Sequence, residues 1–195
     1  MNADIDISNV VLKTRRLVLR PFALSDLDDF YEYASVDGVG QMAGWRPHEN
    51  REESLRILTD FIAGKKTFAL ELNGRVIGSL GIEKYKEAEL PEFDHLACRE
   101  IGYVLAKDYW GQGLMAEAVQ EVLRWLFEFV GLDLIVCGHF LRNRQSARVQ
   151  EKCGFRFYKQ SVYETRFETV EDSNLNILRK EDWSARGSEQ NLQAY

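Results

Sequence analysis

The spacing of apolar residues changes period several times along the chain, and each change marks an element. RLVLRPF (16–22) alternates apolar with polar residues and predicts a strand ended near Pro21. SDLDDFYEYAS (25–35) opens on a cap-type serine with early aspartates and predicts a helix. VDGVGQMAGWRPHEN (36–50) is rich in glycine and reads as a loop. Asn50 with Glu53 has the form of a capping box and starts a helix reaching about Ala63. TFALELNGRVIGSLGIEKY (67–85) is a hairpin whose Asn73–Gly74 pair suits a type I′ turn. In the strand CREIGYVLA (98–106), Arg99, Ile101, Tyr103 and Leu105 share one face, with Glu100, Gly102 and Val104 on the other.

From there DYWGQGLMAEA (108–118) leads into a helix running to about Val130. Met115, Val119, Val122, Leu126 and Phe129 recur in it at helical spacing and form its expected core stripe. Gly131 ends that helix, and DLIVCGHF (133–140) predicts a buried strand. NRQSARVQEKCG (143–154) is a short helix with Asn143 as N-cap and Gly154 at its end; Asn143, Ser146 and Gln150 lie roughly on one of its faces. FRFYKQSVYE (155–164) and SNLNILRKEDW (173–183) close the pattern as strands. The order β-α-α-β-β-β-α-β-α-β-β is a mixed α/β layer in one domain. Residues 1–11 read as an N-terminal extension, 12–183 as the domain, and 184–195 as a loose polar tail.

Composition narrows the class. The 195 residues are 45% hydrophobic and 12% aromatic, which supports a real core. No apolar run approaches the roughly 20 residues of a membrane span, and no secretory signal opens the chain, so a cytoplasmic protein without membrane attachment is expected. Cys98, Cys137 and Cys153 are scattered and odd in number, suggesting buried thiols rather than disulfides or a zinc site. His48, His95 and His139 lack metal-ligand spacing, so no metal is expected. A formal charge of −6 argues against nucleic acid and is compatible with a cationic substrate such as an amine.

Gly111 and Gly113 pose the chemical question. A strand followed by G-x-G at the mouth of a helix is a device for anions, because first-turn N–H groups lack internal partners and bare glycines let a phosphate approach the backbone. A nucleoside-triphosphate loop would need Gly-Lys-Ser/Thr, but Leu114–Met115 follow Gly113. A dinucleotide loop is matched by Gly111-x-Gly113-x-x-Ala116, yet the next strand ends in CGHF without the ribose-binding carboxylate. Coenzyme A is the third candidate.

REIGYVLAKDYWGQGLMAEAV followed by NRQSARVQEKCGF resembles the GNAT superfamily of acyl-CoA N-acyltransferases. TRRLVLRPF resembles the opening strand of its branch that acetylates N-terminal amines of ribosomal proteins. The resemblance runs from about Leu12 to Trp183. It implies a central mixed, mostly antiparallel sheet flanked by helices, with acetyl-CoA as cosubstrate. It also implies diphosphate binding by the backbone of Trp110, Gly111, Gln112, Gly113, Leu114 and Met115. The strand end Tyr103, Val104 and Leu105 would pair with the pantetheine arm, and Asn143 would contact it. Asp108 departs from the superfamily, which often has Gln or Arg there; an acid suits that place only if it points away.

Acetyl transfer to an amine needs a proton acceptor, an oxyanion stabiliser and support for the departing thiolate. Glu100, on the strand resembling the coenzyme-pairing strand, is the first candidate base, and His95 in the preceding loop is the second. The resemblance places Ser146 near the sulfur as a hydrogen-bond donor, with Tyr158 as an alternative donor. Tyr31, Tyr33 and Trp45 fall in the region that walls the acceptor pocket in this fold, though core packing explains any one of them as well. The expected function is acetyl transfer to a protein N-terminus or small amine in a ternary complex, by a monomer or homodimer. The alternatives are a coenzyme-A-binding sensor without turnover and a dinucleotide oxidoreductase.

Overall fold

A computed structural model of the chain describes residues 1–185. Eight strands form one sheet in the order β1-β2-β3-β4-β5-β6-β8-β7. They are β1 (Leu12–Lys13), β2 (Val18–Pro21), β3 (Thr67–Leu72), β4 (Arg75–Glu83), β5 (Cys98–Leu105), β6 (Leu134–Phe140), β7 (Arg156–Glu164) and β8 (Val170–Arg179). Every neighbouring pair is antiparallel except β5 with β6. This is not the parallel, doubly wound sheet on which dinucleotides bind. No helix among the described residues is long and apolar enough to cross a membrane.

Among the described residues four α-helices of eight residues or more cover the sheet: α1 (Leu27–Ala34), α2 (Arg51–Gly64), α3 (Leu114–Trp125) and α4 (Arg144–Cys153). On one face, Phe30 of α1 and Leu58 of α2 pack on Ala69 and Val76 of the sheet. On the other, Val119, Val122 and Leu123 of α3 and Cys153 of α4 pack with Phe68, Leu80, Ile82 and Ile101. Both layers need this burial, since an amphipathic helix alone is marginal in water. Trp110 touches both clusters and plugs the sheet end between them.

The local turn and cap expectations hold in part. Asn73 and Gly74 have φ of 53° and 82°, as a type I′ turn demands. Asn50 Oδ1 accepts from Glu53 N at 2.9 Å, but Glu53 returns its carboxylate to Glu49 N rather than to Asn50 N, so the capping box is displaced by one residue. Near α1 the capping side chain is Asp26, which accepts from Ala23 N at 2.8 Å, and not Ser25. Cys98, Cys137 and Cys153 are buried thiols, and none is in a disulfide.

Two expectations about whole elements fail as well. Phe129 is 68% exposed, not part of the core stripe. The helix widens into a π-helical stretch over Leu126–Val130, which breaks the 3.6-residue period. Leu126 and Phe127 turn inward, and the Arg124 guanidinium lies over the Phe129 ring. The last strand spans 170–179, not 173–183, and residues 180–185 are helical. There Trp183 packs on Phe127 as a helical side chain. The tail expected from 184 onward lies mostly outside the described residues.

Candidate active site

The parallel ladder between β5 and β6 covers only Cys98↔Leu134, Arg99↔Ile135 and Glu100↔Val136. Beyond it β5 stays with β4, pairing Gly102 with Gly81 and Val104 with Ser79, while β6 stays with β8. The two strands therefore part after Glu100 and open a cleft of about 720 Å³. Strand backbone without a ladder partner is hydrogen-bonding capacity that an extended, amide-bearing ligand can use.

Tyr103, Val104 and Leu105 line the cleft on the β5 side, with Glu100 at the apex. Asn143 and Ser146 line it from α4. Trp110, Gly111, Gly113, Leu114 and Met115 bound its end. Among the loop residues expected to bind diphosphate, Gln112 alone does not bound the cleft. Its side chain turns back to Asp108 O at 3.1 Å, and its carbonyl accepts from Arg16 Nη1 at 3.1 Å. Asp108 is exposed and does not line the cleft.

The loop glycines are required by conformation. Gly111 and Gly113 have φ of 76° and 77°, a region that side-chain-bearing residues rarely enter, while a Cβ on Gly111 would meet nothing within 4 Å. Gly113 is the N-cap of α3 and offers no side-chain cap, whereas Asn50 and Asn143 cap α2 and α4. No N-cap side chain therefore covers the first-turn amides of α3, and amides of that kind are able to bind an anion. Two braces hold the loop: Trp110 Nε1 donates to Leu105 O at 2.7 Å, and Arg16 joins Gln112 O to Glu117, with Nε 2.7 Å from the carboxylate.

Glu100 is half-buried, and its carboxyl is pushed up to about 7. Burial is the main cause; Lys86 pulls the value back, and Glu83 and Glu89 push it further up. Ser146 Oγ lies 3.0 Å from the Tyr103 hydroxyl and accepts from Gln150 Nε2 at 3.2 Å. Asn143 Oδ1 caps Ser146 N at 3.0 Å and its Nδ2 donates to Met42 O at 3.2 Å, tying α4 to the loop after α1.

Other candidates fall elsewhere. His95 is exposed outside the cleft wall. Tyr158 packs on Phe93 and donates to Glu92, also outside the wall. Tyr33 is buried among Phe22, Phe30 and Leu58, Tyr31 lies under Arg51, and Trp45 packs against Gly40 and His48. Val39, Met42 and Ala43 supply that stretch of wall instead. Residues 16, 138, 150 and 176 support the site through contacts distant in sequence; only Gln150 had a local signal, its place on the Asn143–Ser146 face.

The acetyltransferase (GNAT) domain family model matches residues 16–156. The uncharacterized N-acetyltransferase YoaA of Bacillus subtilis (strain 168) is 26% identical over 184 residues, 87% of this chain and 97% of that protein. A GNAT-family acetyltransferase from Bacillus anthracis superposes with a TM-score of 0.76 at 24% identity, covering 88% of this chain and 99% of that one. Ribosomal-protein-S5-alanine acetyltransferase from Vibrio fischeri superposes with a TM-score of 0.69 at 20% identity, covering 90% and 99%. The chain belongs to the GNAT acetyltransferase domain family and is an N-acetyltransferase.

Proposed function

We propose that this chain moves an acetyl group from acetyl-CoA to a primary amine, of a protein N-terminus or a small molecule, within a ternary complex. The observation that carries this reading is the parting of β5 from β6 at Glu100, with an uncapped, glycine-led helix start at one end of the gap and a serine across it. The diphosphate would take the amides from Gly111 to Met115, including Gln112; the Trp110 amide, expected from the sequence to join them, already donates to Lys107 O at 3.1 Å. The pantetheine arm would pair along Tyr103–Leu105 and meet Asn143.

Glu100 accepts a proton from the attacking amine, directly or through one water; a carboxyl near 7 is suited to that task at neutral pH. The amine nitrogen bonds to the thioester carbon, the C–S bond breaks, and the electron pair stays on sulfur. The Ser146 hydroxyl donates a hydrogen bond to the thiolate, which takes a proton from solvent as Glu100 releases its own. Holding both substrates together supplies much of the acceleration. The likeness to an S5-alanine acetyltransferase puts peptide N-termini on the acceptor panel.

Thermal melts with acetyl-CoA, CoA, NAD and ATP test the reading first. Stabilisation by the two coenzyme A species is expected, near 3 kcal/mol at about a hundredfold excess over Kd. Thiol release with peptide and small-molecule amines then tests transfer. Stabilisation by NAD but not by acetyl-CoA would overturn the proposal.

A further inference from the structure

Beneath the cleft, a line of polar side chains crosses the core. Asn176 Nδ2 on β8 donates to Gln150 Oε1 at 2.7 Å. Gln150 Nε2 donates to Gly138 O at 3.0 Å and to Ser146 Oγ at 3.2 Å. Ser146 Oγ lies 3.0 Å from the Tyr103 hydroxyl. Gln150 is 1% exposed and Asn176 8%. Two buried amides are a costly way to fill space, and a fully bonded polar chain has a definite direction.

That direction follows from donor counting. Gly138 O can only accept, so the Gln150 atom beside it is the nitrogen and the other is the oxygen that receives Asn176. One Gln150 hydrogen goes to Gly138 and the other to Ser146 Oγ. The Tyr103 hydroxyl reaches both Ser146 Oγ at 3.0 Å and Ser146 O at 3.4 Å. We assign the single Tyr103 proton to the shorter of these contacts, with Ser146 Oγ accepting. With that assignment both lone pairs of Ser146 Oγ are occupied, and its own proton is left for the cleft that Ser146 lines.

We propose that Gln150 and Asn176, with the Tyr103 hydroxyl, are positioning residues that fix Ser146 as a hydrogen-bond donor toward the leaving sulfur. This rests on the role given to Ser146 above. Gln150→Glu tests it with little change in size. Buried there, the neutral carboxyl donates to Gly138 O and leaves a lone pair toward Ser146, which turns the serine proton inward.

The expected result is a loss in kcat of about tenfold to a hundredfold, the range for a hydrogen bond to a charged group. KM for acetyl-CoA should stay within about twofold, since the change acts after binding. In a Ser146→Ala background the same substitution should cost almost nothing more. A full additional loss in that background would overturn the positioning role. Ser146→Ala without any loss would instead remove the role of Ser146 itself, a separate failure. If Gln150→Glu does not fold, Tyr103→Phe, which removes one oxygen, carries the test. It should lower kcat several-fold with KM unchanged and have no effect beside Ser146→Ala; an equal effect in both backgrounds would overturn the inference.

Discussion

Glu100 offers a test in which stability and rate must change together. Its carboxyl ionises near 7 in the folded protein, against an ordinary 4.5. That difference corresponds to about 3 kcal/mol, an upper figure because cleft water screens the charge. The sign follows from linkage. Below pH 4.5 the group is protonated in both states and costs nothing. Between 4.5 and 7 the unfolded chain releases its proton while the folded chain holds it, so stability falls as pH rises. Above 7 the full cost is present. Glu100→Gln is neutral throughout and escapes it. Urea unfolding at fixed pH values from 4 to 8 should show the variant gaining up to about 3 kcal/mol on the wild type across that range, with other groups cancelling in the difference. The same substitution should lower the plateau of kcat/KM by about a hundredfold to ten-thousandfold and remove the acid limb near pH 7. A stability difference that stays flat from pH 4 to 8 would show that burial does not raise this carboxyl. A pH–rate profile unchanged in shape would show that it is not the base.

Gly111→Ala should cost about 1–2 kcal/mol in the left-handed loop and weaken acetyl-CoA binding roughly tenfold at the same energy scale. Calorimetric titration reads this directly, and unchanged affinity would mean the loop does not hold the coenzyme. Asn143→Ala should cost about 0.5–2 kcal/mol through the lost α4 cap and raise KM for acetyl-CoA, read by denaturation and initial rates; a wild-type KM would remove it from the binding site. Phe127→Ala should destabilise by about 3–5 kcal/mol while Phe129→Ala stays within about 0.5 kcal/mol. Denaturation of the pair checks the π-helical register, and the reverse order would refute it.

Most of the frame was legible because it depends on local periodicity and local turn chemistry. Alternation marked β2 to β5, Asn73–Gly74 fixed a hairpin, and asparagine caps set the starts of α2 and α4. Phe129 was misplaced because a π-helical stretch leaves no separate trace in a hydrophobic pattern, and one extra residue in a turn rotates everything after it. Residues 180–183 were read as strand because their helix is set by packing of Trp183 on Phe127, a tertiary event. Within the site, motif positions such as Gly111, Gly113 and Ser146 were visible in the sequence. Arg16, Asn176 and the Tyr103 hydroxyl were not, since each acts on a group at least 26 residues away, and no local spacing encodes such a contact.

The position of Glu100 links fold to chemistry. It is the last β5 residue paired to both neighbours, facing Glu83 on β4 and Val136 on β6. Its backbone therefore has the rigidity of a central strand while its carboxylate stands where the sheet opens. The cross-strand partner is another acid, an arrangement that ordinarily destabilises a sheet. Here Lys66 pairs with Glu83, and Lys86 pairs with Glu89 at 2.8 Å, which leaves Glu100 with no salt bridge of its own among the described residues. Across the gap, Gly138 has no side chain, and a Cβ there would come within 4.0 Å of Glu100 Oε1. A like charge beside it, partial burial and an open side toward the cleft together raise the carboxyl without neutralising it in an ion pair. A fully paired sheet would leave no opening at this point. A glutamate one residue further along β5 would face the α3 layer with Ile101 instead, so the reach of the β5–β6 ladder decides which carboxylate faces the cleft.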